Sequence, residues 1–421
     1  MGLQLPPELI TDIASYLTPE SCNPPKATDL RNFRLTCSQF AVAGARYLTS
    51  TVYFSKYPYD LERLKDVSQH PIISKQIVHA LCDDSRYEPK ALDRPPWRDL
   101  INRYNLIAHK HRCTELQEFY EQMYSEQLQV TKQGLDLATF CAALSRMPNL
   151  RSIQISDMCN RPGPSHSTPV KSSHPWRTGN CPEIWPTNPP PNALWDQAVS
   201  PYHTFITVIR GLSLMDHEIR DLTVEGGREG ISHRIFHASA EDTAHLVNVF
   251  KNLRDLELCI FSHDSEDLWM EKTMRSGVLG NVLAKALHLD SLGLHGCGNE
   301  SFFAPVIFEF SSVLDQIIWS CLRRFYLGSF EIYGHVGLVK FLLSHRRTLV
   351  HVHLYNIGLL ESDWAIVFAI LRRKGVQLET CILTELYTSD FVYYDDVKDV
   401  LNYLLGVGDN PFLSPGAREP R

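Results

Sequence analysis

No apolar run in this sequence comes near the roughly 18 residues that a membrane-crossing helix needs; the longest, such as Ala365–Leu371, are less than half of that. Met1–Gln4 has no basic region, and Glu8 and Asp12 interrupt the apolar stretch behind it, so no secretory leader is expected. No two of the eleven cysteines stand as CxxC. Cys141, Cys259, Cys297, Cys321 and Cys381 fall in or beside apolar periodic runs, where a thiol packs as a small hydrophobe. That usage argues against a disulfide framework or zinc site and for a reducing compartment, cytoplasm or nucleus. A basic excess is also missing. Lys and Arg number 41 against 48 Asp and Glu, a formal net charge of −7, so no nucleic-acid footprint is visible. The short basic clusters His109–Arg112, His345–Arg347 and Arg372–Lys374 read as solvated helix ends.

Catalytic signatures are absent in the same way. There is no GxSxG and no Walker loop, and Gly296-Cys297-Gly298 lacks the third glycine and the ribose-binding acid of a dinucleotide fingerprint. His233 and His237 stand four apart without the glutamate of HExxH, and His351 and His353 would need a third ligand from elsewhere to hold a metal. The residues therefore point to neither an enzyme nor a cofactor or metal site, and His351 and His353 read as polar residues on one strand face.

What the chain does contain is a repeated phrase. Apolar-x-x-apolar-x-apolar occurs seven times: Leu150/Ile153/Ile155, Ile219/Leu222/Val224, Leu253/Leu256/Leu258, Leu289/Leu292/Leu294, Leu322/Phe325/Leu327, Leu349/Val352/Leu354 and Leu378/Cys381/Leu383. Helical periodicity precedes most of these phrases, as in Leu137/Phe140/Cys141/Leu144, Leu246/Val249/Phe250, Val282/Leu283/Ala286/Leu287, Val313/Leu314/Ile317/Ile318, Val336/Val339/Leu342/Leu343 and Trp364/Val367/Phe368/Leu371. A last helix around Val400, Leu401 and Leu404 follows the final phrase. Helix alternating with short strand implies parallel strands joined by helical crossovers. A doubly wound or barrel sheet would bury both strand faces. Here the alternate positions are polar, as in Asp221/Thr223/Glu225, Asp255/Glu257, Ser152/Gln154 and His351/His353, which favours an open, irregular leucine-rich-repeat-like array. The first two phrases are 69 residues apart, and nine prolines between Asn160 and Trp195 explain the gap as a disordered insertion at 160–195.

The first fifty residues form a separate pattern. In LQLPPELITDIASYL, Pro6 and Pro7 suit a first helical turn, and Leu9, Ile10, Ile13, Tyr16 and Leu17 share one side. A second pattern, Leu30, Phe33, Leu35, Phe40, Val42 and Leu48, follows a link at Thr18–Asp29. So small a unit is unstable without docking on something.

LPPELITDIASYL followed by LRNFRLTCSQFAVAGARYL resembles the F-box motif. RLKDVSQHPIISKQIVHAL at 63–81, YEQMYSEQLQV at 120–130 and LATFCAALSRMPNLRSIQISD at 137–157 are similar in style to fungal F-box proteins with degenerate leucine-rich repeats. The link at 18–29 is longer than is usual in that family. The resemblance implies a substrate-recognition subunit of a cullin–RING ubiquitin ligase, in which the chemistry is done by other subunits and the receptor supplies proximity. It also implies that the motif binds the S-phase-kinase-associated adaptor, and through it the cullin scaffold. Leu5, Pro6, Leu9, Ile13 and Leu17, with Leu35 and Cys37, would then face the adaptor or hold the helices together. The alternative is a ligase-independent scaffold whose N-terminal helices cap the array.

The expected layout is α/β: a helical F-box-like motif at 1–54, a helical linker and possible first repeat at 55–135, the array at 136–408 and a tail at 409–421. A protein substrate would meet the concave row of outward strand positions, Gln154, Thr223, Glu257, Gly293, Tyr326, His353 and Ile382, flanked by Asp221, Asp255, Arg324, His351 and Tyr355. No nucleic acid, membrane, metal or cofactor is expected to bind.

Overall fold

The computed structural model describes residues 5–17, 24–83, 121–122, 124–156, 203–225, 231–232, 236, 239–261, 275–297, 306–389, 393–396 and 399–413. The Pro-rich insertion at 160–195 and the pair His233/His237 lie outside these. The chain is mixed α/β and forms two compact units, Met1–Ile219 and Arg220–Arg421.

The first unit opens with three helices. Pro6 and Pro7 start α1 (Pro7–Tyr16), where a missing N–H costs nothing. Helix α2 (Pro24–Thr36) begins at the prolines that the sequence reading placed in the link, so that link shrinks to 18–23. After Cys37 comes α3 (Ser38–Ala45). These helices share a small core of Ile10, Ala14, Leu30 and Ala43, against which Leu17, Phe33, Phe40, Tyr47 and Leu48 pack. Phe33 and Phe40 stack with centroids 4.5 Å apart.

Strand pairing starts earlier than the repeated phrase shows. β1 (Thr51–Phe54) lies at the end of the expected F-box segment, and β2 (His79–Asp83) lies inside the segment read as a helical linker and possible first repeat, after α4 (Pro58–Gln69). Both pair in parallel with the next strand, so that β1, β2 and β3 (Ser152–Ser156) follow chain order. Tyr53 donates a hydrogen bond to Asp83, and the Ser55 hydroxyl donates to Asp60 at 2.7 Å, tying β1 to β2 and α4. Helix α5 (Leu135–Leu144) puts Phe140 against Phe54 with centroids 5.0 Å apart, so the helix covers the inner strand face. Helix α6 (His203–Leu214) has no counterpart in the sequence reading; its FITVI run is β-branched and buried rather than periodic.

The second unit contains β4 (Asp221–Glu225), a short β5 (Ile231–Ser232), β6 (Asp255–Phe261), β7 (Ser291–Cys297), a short β8 (Val306–Ile307), β9 (Arg324–Tyr333), β10 (His351–Leu360), β11 (Thr380–Thr388) and β12 (Tyr393–Asp396). Strands β4, β6, β7, β9, β10 and β11 lie side by side in parallel, in chain order, and β12 joins β11 antiparallel. The repeated phrase sets the register, because Leu222, Leu256, Leu292, Phe325, Val352 and Cys381 are successive partners. The next inner row is Val224, Leu258, Leu294, Leu327, Leu354 and Leu383, all buried. Each such side chain stabilises the fold by about 1.5–3 kcal/mol.

Helices α7 (Ala240–Phe250), α8 (Val278–Leu283), α9 (Phe310–Val313), α10 (Val336–Ser344), α11 (Trp364–Arg373) and α12 (Val400–Leu404) connect or follow the strands. They lie on the inner-row side: Phe341 of α10 packs on Phe325 at 4.6 Å, and Trp364 of α11 donates its indole N–H to the Tyr387 carbonyl at 3.1 Å. Two helices stop short of their expected length, α8 at Leu283 and α9 at Val313. The chain turns there, which leaves Leu287 and Ile318 exposed instead of on a buried face.

The end of the chain is packed further than the expected tail boundary. Asn410 is buried and donates to the Ala365 carbonyl at 3.1 Å, and Phe412 stacks on Phe368 with centroids 5.0 Å apart. Arg372 lies over the Tyr403 ring at 4.5 Å, as expected of a cation at a helix end. His345 departs from the solvated-end reading. It is buried, its Nε2 accepts from the Trp319 backbone N–H at 3.0 Å, and its Nδ1 faces the Phe341 carbonyl at 2.9 Å. Cys259 is disulfide-bonded, against the expectation of thiols throughout, while Cys37, Cys82, Cys141, Cys321 and Cys381 are thiols.

Burial pushes the His345 imidazole below its ordinary value of 6.5, although the Phe341 carbonyl works the other way. The folded state thus binds this proton less readily than the unfolded chain does. Stability held above about pH 6.5 is lost as pH falls through that value. The expected result is a urea midpoint that drops between pH 7.5 and 5.5. His345→Gln should flatten that part of the profile, and an unchanged slope would remove His345 as its cause.

Candidate functional site

Two surfaces are built in ways that the core does not require. The first is on the three-helix head. The apolar side of α1 is divided: Ile10 is 2% exposed and Ala14 is buried in the head core, whereas Leu9 is 49%, Ile13 41% and Tyr16 84% exposed. The spacing Leu9, Ile13, Tyr16 places these three on one side of the helix. Leu5 and Pro6 are exposed where the helix begins, and Leu17 is partly buried against the core, so Leu17 holds the helices together. Leu35 is 84% exposed, and Cys37 is an exposed thiol at the α2–α3 junction; Val42 on α3 is exposed too. Among the described residues the head core draws only on residues 10–48.

The second surface is the outer face of the second unit's sheet. Thr223, Glu257, Gly293, Tyr326, His353 and Ile382 are successive strand partners, so this part of the expected row is continuous. Gln154 stands on β3 in the first unit, partnered by Leu81. One step toward the strand starts are Asp221, Asp255, Ser291, Arg324, His351 and Thr380. Arg324 donates to Asp255 at 2.6 Å and to Asp290 at 2.9 Å. The Asp255 carboxyl is raised above its usual range. Burial is the main cause; Asp221, hydrogen-bonded to it, and Asp290 add to the shift against the pull of Arg324. Burial works against the Arg324 charge, but Asp255 and Asp290 raise its pKa on balance. His351 contacts the Thr380 hydroxyl through Nδ1 at 2.8 Å.

The middle of the face carries a histidine that the sequence reading passed over. His295 Nε2 is 3.2 Å from Glu257 Oε1. A Cβ at Gly293 would lie 3.0 Å from Glu257 Cγ, so the glycine gives that side chain room to lean across. The His353 imidazole is lowered by burial and then by His295, and its ring meets Tyr326 edge-on at 6.1 Å. The Tyr355 phenol is raised by burial and by Glu385, to which it is hydrogen-bonded.

Beyond this row the strands turn a corner. Ser329, Asn356 and Glu385 all have left-handed backbone, with φ of 57°, 51° and 54°. They stand opposite one another between paired residues on β9, β10 and β11, and Asn356 Nδ2 donates to Ser329 Oγ at 3.3 Å. The corner shifts the inward set by one position, so Phe330 and Ile332 are buried where simple alternation would put them outside. Past it, Glu331, Gly358 and Tyr387 are partners. The Tyr387 ring lies over Gly358, within 2.4 Å of where a Cβ would stand, and its hydroxyl is hydrogen-bonded to Glu331. Burial raises the Glu331 carboxyl, and that hydrogen bond offsets part of the rise. Gly358→Ala should push the ring off its partner, cost about 1–3 kcal/mol and move the Glu331 pKa further up. Denaturant unfolding with carboxyl titration by NMR reads both; unchanged values would refute the packing.

Among the described residues no group of three His, Cys, Asp or Glu side chains is placed to hold a metal ion, and no helix is long and apolar enough to cross a membrane. The chain matches no protein-family model, and no curated protein is significantly similar to it.

Proposed function

We propose that this chain is the substrate-recognition subunit of a cullin–RING ubiquitin ligase. In this reading the three-helix head binds the S-phase-kinase-associated adaptor and the outer sheet face holds a protein substrate. The observation that carries the reading is the divided face of α1. Ile10 and Ala14 complete a core internal to the head, which leaves Leu9, Ile13 and Tyr16 as an apolar stripe outside that core. Receptor work needs no catalytic group, only two binding surfaces that bring a substrate to the charged ubiquitin carrier.

The experiment is affinity purification of the full chain beside a chain lacking residues 1–48, a cut that leaves β1 whole. Adaptor and cullin should accompany the first and vanish from the second, while the substrate stays with both. Adaptor retained by the shortened chain would end the reading. A shortened chain that merely melts earlier, with no partner lost, would identify the head as a cap on a ligase-independent scaffold.

A further inference from the structure

The outer face of the second unit has two chemically different halves. Toward β4 and β6 it carries Asp221, Glu225, Asp255 and Glu257, the last 3.2 Å from His295, and the one arginine in these rows, Arg324, is engaged by Asp255 and Asp290. Toward β9, β10 and β11 it carries Tyr326, Tyr355 and Ile382, of which Tyr355 is 41% and Ile382 52% exposed, with His353 between Tyr326 and Ile382 and Glu385 hydrogen-bonded to Tyr355. Large apolar side chains left in water on a sheet face, in register with a carboxylate-bearing half, have no role in the core beneath them. From Thr223 to Ile382 the row crosses five strand-to-strand steps, about 24 Å, which an extended chain of about seven residues spans.

We infer that this face binds an extended segment of a partner protein, about seven residues long, with Arg or Lys at one end and large apolar side chains at the other. The basic end meets Glu225 and Glu257, and the apolar end lies on Tyr326, Tyr355 and Ile382. Gly293 separates Glu257 from Tyr326 in the row, and the Glu257 side chain leans over it toward the middle of the face. The inference rests on reading this face as the substrate surface.

The test uses the full-length chain and fluorescein-labelled heptapeptides, read by fluorescence anisotropy. The probes are Arg-Arg-Ser-Gly-Ser-Leu-Phe, the same residues in reverse order, a version with Glu for Arg, and one with Ser for Leu and Phe. One of the two orders of the first peptide should bind, at least tenfold tighter than the acidic and the serine versions. Glu225→Gln with Glu257→Gln should weaken it at least tenfold, as should Tyr355→Ala with Ile382→Ala, each in a chain that circular dichroism shows to be folded. Glu241→Gln with Asp409→Asn, exposed acids elsewhere in the unit, should leave it unchanged. No binding in either order, equal binding of the acidic peptide, or indifference to the face variants would overturn the inference. Adaptor capture on the same preparations separates the two claims. Capture without peptide binding removes only the face assignment, and loss of capture by the unaltered chain removes the ligase reading.

Discussion

Leu9→Glu combined with Ile13→Glu is expected to abolish capture of the adaptor and to leave the melting temperature of the chain where it was. Both side chains are about half exposed in the free protein, so a charge there meets water rather than core. In a complex the same positions would be buried, and each aliphatic anchor contributes about 1.5–3 kcal/mol. Roughly 1.4 kcal/mol is a factor of ten in affinity, so the pair is expected to cost at least about a hundredfold before the penalty for burying two carboxylates is added. The contrasting variant is one residue away. Ile10→Ala removes a side chain that is 2% exposed, and should cost about 2–5 kcal/mol of head stability. It loosens the head and weakens capture only as far as the head unfolds. A Leu9/Ile13 variant that lowers the melting temperature as Ile10→Ala does would make this face part of the core.

The second large effect lies in the sheet. Phe325→Ala should destabilise the second unit by about 3–5 kcal/mol, because its ring is fully buried and packs on Phe341 at 4.6 Å. For a unit of this size that is a drop of roughly 6–20 °C in melting temperature. Its neighbour Tyr326 points the other way, and Tyr326→Ala should cost about 1 kcal/mol, mostly the edge contact with His353. Differential scanning calorimetry on the two variants tests the assignment of faces. Equal effects would mean that the outer row is core and not a surface.

The repeat was legible because one physical requirement wrote it: an inner strand face must be apolar at every second position, whatever the chain does between strands. Hence all seven phrases became strands, and six of them pair in parallel with a one-to-one register. β1 and β2 went unread because TVYF and HALCD are short and carry no alternation; Tyr53 is buried on the face where later strands are polar. The corner at Ser329, Asn356 and Glu385 went unread for another reason. Of the three only asparagine favours left-handed backbone, and a serine or glutamate seldom takes it, so one residue type in three announces the corner. On the head, a helical wheel grouped Leu9, Ile10 and Ile13 but could not divide them, since the division depends on where α3 lies. His295 and Glu385 entered the outer face through neighbouring strands, by Glu257 and Tyr355 respectively, and pairings of that kind are not written in any one segment.

The central claim is that the head is a docking unit for the adaptor, and calorimetric titration of the purified full-length chain with purified adaptor tests it most directly. The account predicts a saturable one-to-one complex that Leu9→Glu with Ile13→Glu eliminates. Absence of a complex with the unaltered chain, or an unchanged affinity in that variant, would contradict it.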